Sequence, residues 1–447
     1  MSKLSESLIK LGFDSEEKQK ALIENLYLAG YLKPESIWQA LNSMQYDKSG
    51  KEVFRWKQGL ERSFDNIILS LKTSGAYQEN PEEFKADKFI ESFMEDGFFF
   101  DDQNISDMML FLAQNAFGRS ALQERSELAR QEWSDVHKAK YLENTKILGV
   151  FDEINPACAK HDETWIQGAA RLRTKTRMTS AKKYQDHGVD LGAVRLLTGE
   201  RELWVEIDKL PNESTQQCME FMLKLVHDNG IKIEGFEERV VAGNKRTYPK
   251  YVEGETKKLT ETLMAKAIYR EVFGADLREE QLVDSSALEG ELRPNTASNA
   301  VDVTRQQLIA RVRNGDFEGR AAEILIISNQ PYVDRQVLTN KRAVRSELEK
   351  QGVDYPLNFS GAGDICEVGV TAIHSELAAL VNEGYNDALE RGLMPNADRE
   401  NTARLTFQNR CKEKARELRC PAVDFTKVVA PKSVQQLSGQ EQSAVLQ

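Results

Sequence analysis

The chain has 447 residues and a formal net charge of -11, with 40% hydrophobic and 29% charged residues. This composition is typical of a soluble globular protein with two or three domains. The acidic balance argues against a general nucleic-acid binder, because neutralising phosphate groups requires a basic surface. The five cysteines are scattered and form no CxxC pair, which argues against a disulfide framework or a zinc site.

The first residues, MSKLSESLIKLGF, are amphipathic and lack the continuous apolar core of a signal peptide. No stretch reaches the roughly 20 apolar residues that span a bilayer, so no membrane partner is predicted. We therefore expect a cytoplasmic protein. A protein delivered by a secretion system without a cleavable signal would share these features.

Residues 1–145 have the residue spacing of helices. Residues 14–17 resemble a capping box ahead of an apolar stripe, and residues 56–71 place apolar side chains on a second stripe. Residues 108–117 are apolar nearly all round, which is typical of a helix inside a bundle. We predict an all-α helical domain over residues 1–145, with the aromatic stripes as its core, and this domain is the candidate surface for a protein partner.

From residue 146 onward, strand-like segments alternate with helix-like ones. The predicted strands are residues 163–168, 193–197, 281–287, 322–327 and 355–359. The predicted helices are residues 171–186, 214–227, 255–273, 295–312, 336–351 and 368–391, and residues 243–254 are expected to form an irregular polar loop. This alternation predicts an α/β domain over residues 146–395, with a doubly wound, mostly parallel, Rossmann-like sheet. Residues 396–447 are predicted to be a helical or polar C-terminal extension that ends in a loose tail.

Polar and small residues follow the predicted strands, where the carboxyl ends of a parallel sheet gather ligand groups. Gly168 and Ala169 allow a backbone to approach a ligand, and the following helix offers free N–H groups to an anion. The arginines at positions 171, 173 and 177 could clamp a phosphate or a carboxylate, although positions 173 and 177 also fit a solvated helix face. A basic run over residues 171–183 is better explained as a pocket wall or an exposed helix than as a nucleic-acid site.

Familiar catalytic motifs are absent from the sequence. There is no HExxH, GxSxG or Walker lysine motif, and the GAA turn at residues 168–170 is less specific than GxGxxG. Glu200 and Glu291 are candidate general bases or holders of a metal-bound water. The residues at positions 161–163, HDE, fit a solvated loop better than a metal cluster, so no metal site is predicted. Asn295 could serve only as a helix cap.

The order of these segments resembles the YdcF/SanA-like family, a group of poorly characterised bacterial proteins with a Rossmann-like α/β fold. The resemblance covers roughly residues 147–391. It is carried by GAA at 168–170 with the arginine-bearing helix after it, LLTGER at 196–201, TETLM at 260–264, ELRPNTASNA at 291–300 and IISNQPYVDRQ at 326–336. The usual family pattern after the last strand has a histidine, and this chain has Gln330 and Tyr332 there, which puts a shared mechanism in doubt.

The resemblance implies a nucleotide-type ligand, for which S-adenosylmethionine has been proposed in the family, and some relatives are linked to cell-envelope formation. It nominates Glu261 and Glu291 for acid/base catalysis. Together with the strand-end argument, it gives a predicted ligand-binding set: Gly168, Ala169, Arg171, Gly199, Arg201, Asn295, Asn299, Ser328, Asn329, Gln330 and Arg335.

The sequence therefore predicts a protein that binds a small anionic, nucleotide-like ligand, S-adenosylmethionine or a phosphorylated metabolite, at the carboxyl edge of the sheet. Transferase or hydrolase activity would follow from the acidic residues. One alternative is a non-enzymatic interaction protein that works through residues 1–145 and uses the α/β domain as a scaffold. A second alternative is a metal-dependent phosphoester hydrolase that depends on Glu291.

Overall fold

The computed structural model describes residues 3–29, 32, 84–95, 106, 109–110, 134–241, 243–288 and 294–393. The chain divides into two compact units, Met1–Gly149 with Val368–Gln447, and Val150–Glu367. The predicted domain boundaries at 145 and 395 stay predictions, and the predicted extension over 396–447 lies outside the described residues.

The helices of the first unit, within its described residues, are α1 (Lys3–Lys10), α2 (Glu16–Leu28), α3 (Ala86–Glu95), α4 (Asp135–Ile147) and α12 (Val370–Glu390). Ser15 caps α2 by accepting a hydrogen bond from the Lys18 N–H at 3.2 Å. The capping residue predicted from the sequence was Asp14, which instead pairs with the Lys18 ammonium group at 3.0 Å. Most of residues 1–145 lie outside the described residues, so the all-α domain and its partner surface stay predictions.

The second unit is built on a five-stranded parallel sheet. Its strands are β1 (Glu163–Gln167), β2 (Ala193–Gly199), β5 (Leu282–Ser285), β6 (Ala322–Asn329) and β7 (Leu357–Asp364). Their order is β5-β2-β1-β6-β7, and every neighbouring pair is parallel. The predicted α/β class with a mostly parallel sheet is therefore confirmed. The strands that follow β1 in the chain, β2 and β5, lie on one side of it, and β6 and β7 lie on the other side. The topological switch point therefore lies between β1 and β6.

Helices cover both faces of this sheet. They are α5 (Arg171–Asp186), α6 (Val205–Asp208), α7 (Thr215–Asp228), α8 (Glu261–Phe273), α9 (Thr296–Val303), α10 (Ile309–Arg313) and α11 (Val333–Lys350). One apolar cluster joins Ile166 and Leu196 of the sheet to α5, α7 and α8. The other joins Trp165 and Leu197 to α9, α10 and α11. Since successive strand residues point to opposite faces, neighbouring residues supply the two cores.

Two predicted elements differ from the structure. The predicted loop over 243–254 is mostly a strand, since β3 (Ile233–Val241) and β4 (Asn244–Tyr251) form an antiparallel pair. The strands β3 and β4 are only half-buried, so they carry many charged residues. These charged residues hide the alternation of apolar and polar side chains that would mark a strand in the sequence. The single helix predicted over 295–312 is interrupted by a π-helical turn, Thr304–Leu308, between α9 and α10. Among the described helices, none is long and apolar enough to cross a membrane.

Candidate functional site

The carboxyl ends of the central strands bring several predicted site residues to one edge of the sheet. Ile166 pairs with Ile327 of β6, and Gln167 pairs with Leu197 of β2, so β1 ends between these two strands. Gly168 follows β1 directly, while Gly199 and Asn329 are the last residues of β2 and β6. Glu291 lies outside the described residues, so its predicted catalytic role stays a prediction.

Arg177 of α5 occupies the switch point between β1 and β6. Its Nε atom donates to Oδ1 of Asn329 at 2.7 Å, and its Nη1 atom donates to the carbonyl oxygens of Gln167 at 2.7 Å and Gly168 at 2.9 Å. The side chain is 2% exposed, so the alternative of a solvated helix face does not hold at this position. The guanidinium group therefore ties the ends of the two central strands together.

The charge at this point is electrostatically unfavourable. Burial, together with the neighbouring guanidinium groups of Arg173 and Arg335, lowers the pKa of Arg177 to about 9, and the charge of Glu261 opposes this shift. The Arg173 guanidinium also lies over the ring of Tyr332, 4.8 Å from its centroid. Arg173 of α5 and Arg335 of α11 are thus close enough to Arg177 for their charges to act on it.

The N-termini of two helices lie at the same carboxyl edge of the sheet. Helix α5 begins after Ala170 and α11 begins after Tyr332, and neither N-cap residue makes a side-chain capping hydrogen bond. The hydroxyl of Thr174 binds both the N–H and the carbonyl of Ala169, at 3.1 and 2.8 Å. Helix N-termini carry a partial positive charge, which adds to that of the guanidinium groups.

Arg171 is engaged by a carboxylate instead of lying open to a ligand. Its Nη1 atom donates to Glu213 Oε2 at 2.8 Å, and its guanidinium group stacks on the ring of Phe221, 3.4 Å from the centroid. Its backbone N–H donates to Asp208 Oδ1 at 3.2 Å. A ligand would have to displace Glu213 before Arg171 could bind it.

Arg201 lies between two buried carboxylates. It donates to both oxygens of Asp208, at 3.0 and 2.8 Å, and from Nε to Glu261 Oε2 at 2.9 Å. Asp208 is fully buried and also accepts from the Trp204 N–H at 3.2 Å. The sequence placed Arg201 on the ligand, but in the structure its charge is balanced within the protein.

Glu261 is the described acidic residue best placed for proton transfer. It begins α8, it is 8% exposed, and only its Oε2 atom takes the hydrogen bond from Arg201. The other oxygen, Oε1, faces the end of β1, since a Cβ atom built on Gly168 would lie 2.2 Å from it. Burial raises the pKa of Glu261, and the charge of Arg201 opposes that rise. Glycine at position 168 therefore makes room for this carboxyl group.

The predicted residues around β2 and α9 have structural partners. Gly199 makes room for Pro294, whose Cβ would lie 2.6 Å from a Cβ at position 199. Asn295 caps α9, since its Oδ1 atom accepts the N–H groups of residues 297 and 298 at 2.8 and 3.1 Å. Within the described residues, Oδ1 of Asn299 is buried and has no hydrogen-bond partner.

The predicted residues at the end of β6 and directly after it are bound within the second unit. The hydroxyl of Ser328 donates to Oε1 of Gln336. Gln330 donates from Nε2 to the carbonyl of Asp152 at 3.0 Å, and Asn329 receives the hydrogen bond from Arg177. These contacts hold the loop after β6 against its neighbours.

Two acidic residues of the site, Asp208 and Glu213, were not predicted from the sequence. Asp208 lies in the four-residue helix α6, and Glu213 lies in the loop before α7. Neither belongs to a recognisable motif. The available signal was the position of both residues after a predicted strand end that carries Arg201.

Comparison with known proteins finds no similar protein. No protein-family model, no curated protein and no solved structure matches this chain. Among the described residues, no three histidine, cysteine, aspartate or glutamate side chains are grouped so that they could hold a metal ion.

Proposed function

We propose that the carboxyl edge of the sheet binds a small anionic, nucleotide-like ligand at the switch point between β1 and β6. The observation that carries this proposal is the buried guanidinium group of Arg177, which lies near Arg173 and makes no ion pair with a carboxylate within the described residues. Like charges held together in a protein raise its free energy, unless an opposite charge offsets them. A phosphate or carboxylate group bound between these residues would supply that charge.

The location supports a compact ligand rather than a polymer. Ligands of open α/β sheets bind in the crevice outside the carboxyl ends of the strands, at the topological switch point. Here the N-termini of α5 and α11 lie at that crevice. The acidic balance of the chain disfavours a phosphate polymer. The resemblance to the YdcF/SanA-like family points to the same ligand class, with S-adenosylmethionine and phosphorylated metabolites as candidates.

The arginine that a ligand would contact most directly is Arg173. Unlike Arg171 and Arg201, it makes no ion pair with a carboxylate within the described residues, and its guanidinium group rests on Tyr332. Arg177 lies deeper and already donates three hydrogen bonds. Arg173 can therefore bind an anion without breaking an ion pair, and Arg177 would act mainly through its charge.

A thermal-shift screen tests the proposal. Pyrophosphate, AMP, ADP, ribose 5-phosphate and S-adenosylmethionine are each added to the full chain at increasing concentration. We expect at least one of the phosphate compounds to raise the melting temperature, since a ligand at 100 times its Kd stabilises by about 2.7 kcal/mol. Replacing Arg173 with alanine should weaken that ligand by roughly 10- to 100-fold, the effect of losing a charge-assisted hydrogen bond.

The matched control is Lys182→Ala on the same helix. Lys182 carries the same charge but pairs with Asp186 on the exposed side of α5, so its removal should leave ligand binding unchanged. Equal weakening by both substitutions would mean that only the overall charge matters. That result, or a screen in which no phosphate compound binds, would contradict the proposed site.

A further inference from the structure

The carboxyl group of Glu261 is fixed at one oxygen and open at the other. Arg201 holds Oε2 at 2.9 Å, and Asp208 in turn holds Arg201 through two hydrogen bonds of 3.0 and 2.8 Å. Asp208 is itself fixed by the N–H groups of Arg171 and Trp204, both at 3.2 Å. The chain Asp208–Arg201–Glu261 therefore sets the orientation of the Glu261 carboxyl group.

The open oxygen lies beside the proposed anion crevice. Oε1 would be 2.2 Å from a Cβ atom on Gly168, and the carbonyl of the same Gly168 accepts the hydrogen bond from Arg177 at 2.9 Å. One residue thus separates the open oxygen of Glu261 from the most buried guanidinium group. An anion bound at the arginines would lie close to a carboxylate of the same charge.

Few charged groups face Glu261 from the elements around it. Arg201 approaches from the loop after β2, Asp208 from α6 and Arg177 from α5. At the ends of β1 and β2, Gly168 lies against Oε1 of Glu261 and Thr198 lies against Gly168, and neither residue titrates. Helix α7 packs with α8 through a shared apolar cluster. Within the described residues, the charges that act most strongly on the protonation of Glu261 are therefore those of Arg201, Asp208 and Arg177, to which a ligand in the crevice would be added.

We infer that anion binding at this site is coupled to the uptake of one proton by Oε1 of Glu261, with Asp208 as the positioning residue that holds Arg201 on Oε2. This inference rests on the proposed anion site. The proton comes from solvent, the carboxylate becomes a carboxylic acid, and no bond of the ligand breaks. The protonated Oε1 then donates a hydrogen bond to the ligand, which favours ligands with an acceptor oxygen beside the phosphate, such as a phosphoester or a pyrophosphate.

The direction of the effect follows from elementary electrostatics. A neighbouring negative charge raises the pKa of a carboxyl group, and burial already raises the pKa of Glu261 in the free protein. The ligand therefore binds best when Glu261 is protonated. Between the pKa of Glu261 in the free protein and its higher pKa in the complex, the Kd should rise by up to tenfold per pH unit, as linkage requires for the uptake of one proton.

Isothermal titration of the full chain with pyrophosphate measures the coupling. Titrations between pH 6 and 8, each in buffers with different ionisation enthalpies, give the number of protons taken up. The Glu261→Gln variant has no titrating group at this position and keeps the shape of the side chain. The difference between the two proteins removes the protons that belong to pyrophosphate itself. At a pH between the two pKa values of Glu261, we expect the wild type to take up as much as one proton more than Glu261→Gln, and the variant to bind more tightly at pH 8.

The role of Asp208 is tested by Asp208→Asn. Without its charge, Arg201 is free to pair more fully with Glu261, so the pH midpoint of proton uptake should move to lower pH. A purely structural role would weaken binding at all pH values and leave the midpoint in place, which would overturn the positioning role. Asp284→Asn is the matched control, because Asp284 accepts only from the Thr262 hydroxyl at 2.6 Å among the described residues, and it should not move the midpoint.

Two further outcomes distinguish a failure of the proton coupling from a failure of the proposed anion site. Pyrophosphate that binds with the same number of protons in the wild type and in Glu261→Gln would overturn the coupling and leave the anion site standing. Absence of binding by both proteins at every pH would overturn the coupling and the anion site together.

Discussion

Replacing Arg201 with alanine is expected to lower the free energy of unfolding of the second unit by about 3–5 kcal/mol, the cost of leaving a buried charge without its partner. Arg201 is held between Asp208 and Glu261, which are 0% and 8% exposed. Its removal leaves two buried carboxylates and no cation between them. Hydrogen exchange of the amides in β1 and β2 measures the loss, because it reports on this unit alone.

The pH dependence of that loss has a definite sign. Burial raises the pKa of the Glu261 carboxyl group, and the removal of Arg201 takes away the charge that opposes this rise. The stability that protonated Glu261 contributes is present below its unfolded pKa and is lost as the pH rises through its folded-state pKa. The deficit of the variant should therefore be larger at pH 8 than at pH 5.

Two further variants complete this test. Adding Asp208→Asn to Arg201→Ala removes one of the unpaired charges and should recover part of the stability. Arg270→Ala is the control, since Arg270 is exposed and pairs only with the exposed Asp276 within the described residues, and exposed pairs contribute about 1 kcal/mol or less. An Arg201→Ala variant as stable as Arg270→Ala would contradict the buried network.

Replacing Gly168 with alanine is expected to lower the free energy of unfolding by about 1–3 kcal/mol, the usual cost of overpacking a core. The added Cβ would lie 2.2 Å from Oε1 of Glu261 and 2.7 Å from the carbonyl oxygen of Leu197. The first contact involves a side chain that can move, whereas the second involves the backbone of β2. The substitution should therefore both destabilise the sheet edge and displace the Glu261 carboxyl group.

A double-mutant cycle with Glu261→Ala separates the two contacts. The double variant should lose less than the sum of the two single variants, because one of the two contacts is absent from it. The contact with Leu197 remains, so the rescue should be incomplete. Strict additivity of the two losses, measured by hydrogen exchange in β1 and β2, would mean that Glu261 does not lie against Gly168.

The fold could be predicted to a large extent because the central strands are encoded locally. The apolar run at residues 322–327 predicts a buried strand, and β6 is Ala322–Asn329. Parallel strands covered on both faces are apolar throughout, which separates them from the amphipathic helices between them. The ribbon of β3 and β4 lacks this signal, since its residues are mostly half-buried and many are charged.

The site could be predicted only to the level of its location. The strand-end rule brought Gly168, Gly199 and Asn329 to one edge, but it does not say which groups face a ligand and which face each other. Arg201 and Glu261 are 60 residues apart in the chain and 2.9 Å apart in the structure. Their pairing depends on where α6 and α8 pack, and no local pattern encodes that. Arg177 shows the same limit, since nothing in the helix sequence marks it as the buried arginine.

The central claim is that the carboxyl edge of the sheet holds an anion at the switch point. Crystals of the full chain grown with tungstate, a strongly scattering analogue of phosphate, test this claim directly through the anomalous signal of tungsten. We expect a tungstate ion within hydrogen-bonding reach of the guanidinium group of Arg173, above Arg177 and beside Gly168. Tungstate bound only at other surfaces, with none at this crevice, would contradict it.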